Sequence, residues 1–312
     1  MVHIHFHNDT DGIASAVLLY SFLNRNKKKA IKFNAANYDI VDWEDKNLAK
    51  NSFVVDFKYN PTSLGWFDHH DTGRGRFEKE SKNTKIVRFD PSRKSCAGLL
   101  YDYFISLHTS WDPSPWKDLC KWAEIIDSAS YVSAEQVILS KEPALKIRQV
   151  LMDREVNIVE VLKKILNYQG DLEKVAEDYR KIWEKRQKKV EKILKAYPKI
   201  MTIHNNTAYL DLTRPTTKYV GKDKYAPFYL RPDLDYCISI TGWNGDYQIG
   251  AGKNPWKEVK EPINLADLAQ KYGGGGHRDV MGVNKNNAAE VREIGMIVFR
   301  ALAYRKREVW GG

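Results

Sequence analysis

Cysteine is scarce in this sequence: there are three, Cys96, Cys120 and Cys237, in 312 residues. An odd number, with no CxxC pair and no zinc-knuckle spacing, excludes a disulfide framework and a cysteine-built zinc site. The three are expected to be buried small hydrophobes in a reducing compartment. Also missing is any apolar run near the ~20 residues that a membrane helix needs. The chain opens with charged and polar residues at His3, His5 and Asp9, so no signal peptide is expected. The expected location is the cytoplasm, without a membrane partner. There is no internal repeat and no low-complexity tract beyond one run of glycines. Acidic excess is absent as well: 50 Lys and Arg against 40 Asp and Glu leave a net charge of +10. That balance favours acidic partners, nucleic acid above all, with a Lys-rich solvated surface as the alternative.

What is present reads as alternating strands and helices over a length that suits two domains. Residues 2–7 (VHIHFH) alternate apolar and His, the period of a strand with one apolar face. An Ala-rich apolar helix follows from Ile13 to Leu23. Short buried strands are predicted at 52–57 and 64–67, then a strand near 85–89 and a helix from Ser95 to about Leu107. This order predicts an α/β domain with a mainly parallel sheet. The chain reads as helical from about 116 to 197. In its last part, 172–197, Leu172, Val175, Tyr179, Ile182, Val190 and Ile193 keep i, i+3, i+4 spacing, and Pro198 is predicted to end the helix. After Pro198, strands at 200–204, 207–212, 235–241 and 246–251, a helix start at Asn264 and a helix over 288–304 predict a second, smaller α/β domain. The domain reading is 1–170, a helical connector over 171–198, and 199–312.

Acidic and histidine side chains collect at the predicted strand ends, where functional groups gather in parallel α/β sheets. Asp9 and Asp11 lie two apart in His7-Asn8-Asp9-Thr10-Asp11-Gly12. Like charges held this close repel unless a cation lies between them. Alone, the string is also what turns and helix caps use. Asp56 ends the apolar run Phe53-Val54-Val55. Asp68-His69-His70-Asp71 sets carboxylates and imidazoles in a row at another strand end, a mixture that suits Mn²⁺, Mg²⁺, Fe²⁺ or Zn²⁺. Asp127 falls inside an otherwise apolar helical stretch, where a buried carboxylate needs a metal, an Arg or a cap as partner.

The run Gly273–Gly276 before His277 and Arg278 is either a linker or a phosphate loop. In the second reading glycine lets main-chain N–H groups approach an anion, and the charged residues add donors.

The ordered set DxDG, a strand-ending Asp, DHH and a fourth Asp resembles the DHH phosphoesterase superfamily, and Gly274-Gly275-Gly276-His277 resembles the GGGH motif of its associated C-terminal domain. The resemblance covers essentially the whole chain. It implies two divalent ions, manganese first and magnesium or others as alternatives. Their ligands would be His7, Asp9, Asp11, Asp56, His69 and Asp127, with Asp56 bridging and His5 as the alternative to His7. It implies that Asp68 orients the site, that His70 faces the substrate phosphate, and that Gly274, Gly275, Gly276, His277 and Arg278 bind that phosphate. Lys253 stands near the place of a usual Arg, and Met281 where the family has a small residue. Pyrophosphatases of the superfamily carry a different C-terminal domain. The implied activity is therefore hydrolysis of short oligonucleotides or single-stranded nucleic acid to nucleoside 5′-monophosphates, as in nano-RNases and RecJ-like exonucleases. Cyclic dinucleotides or 3′-phosphoadenosine 5′-phosphate are the alternative substrates. The resemblance leaves room for a homodimer. Tyr229 and Trp256 are candidates for stacking bases.

Overall fold

The computed structural model describes residues 1–26, 29–37, 40, 42–70, 77–79 and 84–305; Asp71 of the histidine motif lies outside them. The chain packs as two compact units. One comprises Met1–Tyr131 with Lys141–Glu184, the other Val132–Ser140 with Lys185–Gly312.

The first unit is built on a five-stranded sheet of β1 (Val2–His7), β2 (Ile31–Ala36), β3 (Ser52–Val55), β4 (Gly65–Asp68) and β5 (Ile86–Phe89), in the order β2-β1-β3-β4-β5. Every pairing is parallel, as the strand–helix alternation predicts. The alternation in β1 sorts its faces. Ile4 and Phe6 join a core with α1 (Thr10–Leu23), α2 (Cys96–Ser106) and α3 (Lys117–Asp127). Trp43, Val54, Phe57, Tyr59 and Trp66 form a separate cluster. Every residue of α1 from Thr10 to Leu19 is buried, which is why its sequence is apolar all round. The helix begins at Thr10, earlier than the apolar run at Ile13, because Asp9 caps it by accepting the Gly12 N–H at 2.9 Å.

The helical stretch differs from the sequence reading in two ways. The predicted helix 172–197 is two helices, Leu172–Asp178 and Arg180–Ile200. The break at Tyr179 is invisible to periodicity because both pieces keep the same apolar spacing. Pro198 does not end the second piece. It falls in the last turns, where its missing N–H costs one bond, and Met201 N–H still reaches the Tyr197 carbonyl at 2.9 Å.

The second unit holds a six-stranded sheet of order β10-β11-β9-β8-β7-β6. Its strands are β6 (Thr202–His204), β7 (Thr207–Asp211), β8 (Tyr236–Trp243), β9 (Asp246–Lys253), β10 (Gly275–His277) and β11 (Val280–Lys285). Only the β7–β8 pairing is parallel. Ile238, Ile240, Ile249, Ala251, Met281 and Val283 form a core with the helices Leu265–Gln270 and Ala288–Tyr304. Alternation along the strands leaves Ser239, Gly250 and Gly282 on the opposite face.

All three cysteines are buried and free. Among the described residues no helix is long and apolar enough to cross a membrane.

Candidate metal centre

The carboxyl ends of β1, β3 and β4 bring the predicted side chains together. His7 is the last residue of β1, Asp9 caps α1 and Asp11 lies in its first turn. Asp56 follows β3, Asp68 ends β4, and Asp127 ends α3. His7 Nδ1 lies 2.9 Å from Asp9 Oδ2 and 3.9 Å from Asp56 Oδ2. His69 Nε2 lies 3.6 Å from Asp11, 3.6 Å from Asp56 and 3.3 Å from Asp127. Three overlapping sets result: His7, Asp9 and Asp56; Asp11, His69 and Asp127; Asp56, His69 and His70. In each, one ligand atom per residue lies within 4.8 Å of the others. Asp56 and His69 belong to two sets each. His5 enters none; its ring packs edge-on against Trp43 at 5.5 Å, and burial pulls its pKa down to about 4.

Two features that no side-chain motif announces hold these groups in place. The carboxylate of Asp11 accepts the N–H groups of Cys96 at 2.7 Å and Ala97 at 2.9 Å, the first turn of α2. A helix N-terminus is a natural seat for an anion. Ser95, which caps α2 by accepting the Gly98 N–H, is the sequence signal for it. The second feature is the Arg93 carbonyl, 3.1 Å from His69 Nδ1. A proton on Nδ1 leaves Nε2 as a lone pair facing Asp11, Asp56 and Asp127, the usual device for orienting a metal-binding histidine. Asp68 accepts the N–H groups of His69 and His70 at 2.8 and 3.2 Å and lies 2.9 Å from His70 Nδ1. It orients the two histidines.

Asp56 is the most constrained of the set. It is fully buried, with φ +53°, a left-handed conformation that costs a non-glycine residue. Neither of its carboxylate oxygens has a hydrogen-bond partner, and neither does His69 Nε2. Burial, then the charges of Asp11 and Asp9, push the Asp56 carboxyl well above its usual range. Burial, then Asp127 and Asp9, do the same to Asp11. Burial also lowers the His70 pKa, but the hydrogen bond and charge of Asp68 outweigh it and push it up to about 9. A buried carboxylate with both oxygens unbonded, crowded by further acids and beside an unbonded imidazole nitrogen, is a pattern that a cation would satisfy. Oxygen and imidazole donors together fit a divalent metal. The three sets could each hold such an ion.

Gly12 completes the motif for a steric reason. A Cβ there would lie 2.0 Å from the His7 carbonyl oxygen, so only glycine lets α1 start this close to β1. Gly12→Ala is expected to cost about 3 kcal/mol or more, because main chain, not a flexible side chain, must move. Chemical denaturation of the purified variant reads this; an unchanged midpoint would rule out the close approach.

The glycine run sits in the second unit. Gly273 has φ +72° and Gly276 has φ +150°. A Cβ on Gly274 would lie 2.3 Å from the Gly282 carbonyl oxygen. Gly275 has no such reason: a Cβ there would meet nothing within 4 Å. The Arg278 carbonyl accepts the Leu265 N–H at 2.9 Å, and the side chains of His277 and Arg278 are exposed. Lys253 is committed to Asp279 at 2.8 Å rather than free to replace a phosphate-binding arginine. Met281 is buried in the core, on the face opposite Gly282. Trp256 packs against Tyr225 at 5.6 Å, and Tyr229 is half-buried.

No protein-family profile matches the chain. Oligoribonuclease NrnB of Bacillus subtilis (strain 168) is 21% identical, over 98% of this chain and 76% of the relative. Among solved structures, the pGpG-specific phosphodiesterase PggH of Vibrio cholerae superposes with a TM-score of 0.72 at 17% identity, covering 98% of this chain and all of that one. An exonuclease RecJ solved with manganese gives a TM-score of 0.54 at 13% identity, covering 99% and 91%. The fold is thus shared along the full chain, and the acid and histidine set occupies its strand ends in the order the motif requires. In fold, and in the order of these residues, the chain resembles the DHH phosphoesterases. The Asp68-His69-His70 run divides in the structure: Asp68 is taken up with N–H donors, His69 faces the acids, and His70 is held by Asp68.

Proposed function

We propose that this protein is a DHH-type, manganese-dependent phosphodiesterase that hydrolyses short oligonucleotides to nucleoside 5′-monophosphates. The observation that carries the reading is Asp56: buried, left-handed, with both oxygens unbonded, and common to two of the three ligand sets. His7, Asp9, Asp11, Asp56, His69 and Asp127 would hold two ions. Such ions, when bound, activate water and neutralise charge on a phosphoryl group. The chain's own residues supply the rest. Asp68 fixes His70 through Nδ1, leaving Nε2 to donate to a phosphoryl oxygen. The His69 ring is fixed by the Arg93 carbonyl before substrate arrives, so no reorganisation is spent on it. His277, Arg278 and the N–H groups of Gly274, Gly275 and Gly276 bind the substrate phosphate. The names of two relatives, an oligoribonuclease and a pGpG-specific phosphodiesterase, support substrates only a few nucleotides long. The net charge of +10 agrees.

Chain-length profiling tests it. With Mn²⁺, kcat/KM is compared for dinucleotides, 5-mers, 25-mers, cyclic di-AMP and 3′-phosphoadenosine 5′-phosphate. Dinucleotides are expected to lead. Preference for the cyclic dinucleotide or for 3′-phosphoadenosine 5′-phosphate would replace this reading with the corresponding one.

A further inference from the structure

The second unit contains a cation that the reading above leaves unused. Lys222 is half-buried, and its Nζ lies 3.3 Å from Gln248 Oε1. It also lies 3.0 Å from the point where a Cβ on Gly250 would stand, with Ser239 Oγ 3.7 Å from that same point. Glycine at 250 is therefore what lets the amine lie down on β9. Other lysines of this unit have carboxylates: Lys253 with Asp279, Lys257 with Asp235 and Lys285 with Glu290, at 2.6–2.9 Å. Among the described residues Lys222 has none, only the neutral amide of Gln248. An ammonium drawn out of water without an anion is costly. Burial, with Lys224 adding like charge, holds its pKa below the usual lysine range.

The surface beside it is open. Gly250 pairs with Gly282, and Gly282 with Gly275. A Cβ on Gly282 or Gly275 would meet nothing within 4 Å. Bare main chain thus runs two strand spacings, roughly 10 Å, from the Lys222 ammonium to the strand that carries the glycine loop. We infer that Lys222, with Gln248 and Ser239, binds a second phosphate of the substrate, distinct from the one held at the glycine loop. This deepens the phosphodiesterase reading and rests on it. Cleavage to nucleoside 5′-monophosphates leaves a 5′-phosphate on each successive fragment, so the group expected here is the 5′-terminal phosphate of a dinucleotide.

The test uses the full chain and two variants, Lys222→Met, which keeps the stem over Gly250 and removes the charge, and Lys222→Arg. Substrates are one dinucleotide with a 5′-phosphate and the same dinucleotide with a 5′-hydroxyl; bis(p-nitrophenyl) phosphate with Mn²⁺ reads the metal centre alone. Lys222→Met is expected to lose roughly ten- to a hundredfold in kcat/KM on the 5′-phosphorylated dinucleotide, mostly through KM. It should match wild type on the other two substrates, and Lys222→Arg should recover part of the loss. Equal losses on both dinucleotides mean a structural role and overturn the inference, as does no loss on either. Calorimetric binding of the 5′-phosphorylated dinucleotide in EDTA separates the two proposals. If wild type with Mn²⁺ hydrolyses no dinucleotide, the phosphodiesterase reading falls. Equal binding by wild type and Lys222→Met in EDTA sinks the role of Lys222 whatever the turnover.

Discussion

Asp56→Asn is expected to give a better-folded protein that does not work. The native side chain is fully buried, and both oxygens lack hydrogen bonds. Asp11 and Asp9 add like charge to that burial. Without metal, the fold must either bury a charge or hold a proton there at a cost. The amide removes that conflict. Asparagine also tolerates the φ of +53° better than most residues, so the backbone need not change. A gain of about 1–3 kcal/mol for the metal-free protein is the expected scale. The same change removes a ligand common to two sets, and hydrolysis should fall by roughly a thousandfold or more, since bound metal is worth several kcal/mol of barrier. Thermal melts in EDTA and turnover with Mn²⁺ read the two effects. Lower stability with undiminished turnover would sink both the geometry and the mechanism.

The second large effect is a stabilisation by metal that grows with pH. The folded-state carboxyls of Asp11 and Asp56 are raised above their usual range, first by burial and then by neighbouring acids. A raised carboxyl stabilises the fold fully below the unfolded pKa near 4, and that contribution is lost as pH climbs through the folded value. The metal-free first unit should therefore lose stability from this pair as pH rises from about 4 through the raised folded values. A divalent ion competes with those protons, so it binds more tightly as pH rises. At a hundredfold excess over its Kd, Mn²⁺ should raise Tm by about 5–10 °C near pH 7.5 and by much less near pH 5. Melts with EDTA and with Mn²⁺ across that range give the difference directly. A pH-independent increment would show that these acids do not hold the ion.

The sequence already carries much of this. The alternation of VHIHFH predicts β1 and its faces, and the apolar run before Asp56 predicts β3. The places of Asp9, Asp11, Asp68 and His69 follow from predicted strand ends, whereas Asp127, read as lying inside a helical stretch, is the last residue of α3. What it hides is mostly main chain. Cys96 and Ala97 hold Asp11 through N–H groups that every residue but proline has, and only the cap at Ser95 hints at them. The Arg93 carbonyl that fixes His69 leaves no mark on residue choice. The left-handed turn at Asp56 is hidden because the apolar run leading into it reads as one strand over 52–57, whereas β3 ends at Val55. Val132–Ser140 packs with the second unit although it interrupts the first in sequence, and periodicity does not carry that information. Pro198 misleads for a different reason: the cost of proline depends on which bond it removes, and near the end of a helix that bond is dispensable.

The three atoms that hold Asp11 and His69 belong to no side chain. Replacing Arg93 or Cys96 by alanine leaves the carbonyl and the N–H in place, and position 97 is already alanine. A substitution scan of this centre would therefore register the ligands and pass over half of what aims them. The aim is inherited through the path of the loop into α2, so it tolerates changes of residue and is vulnerable to changes in chain length or to proline.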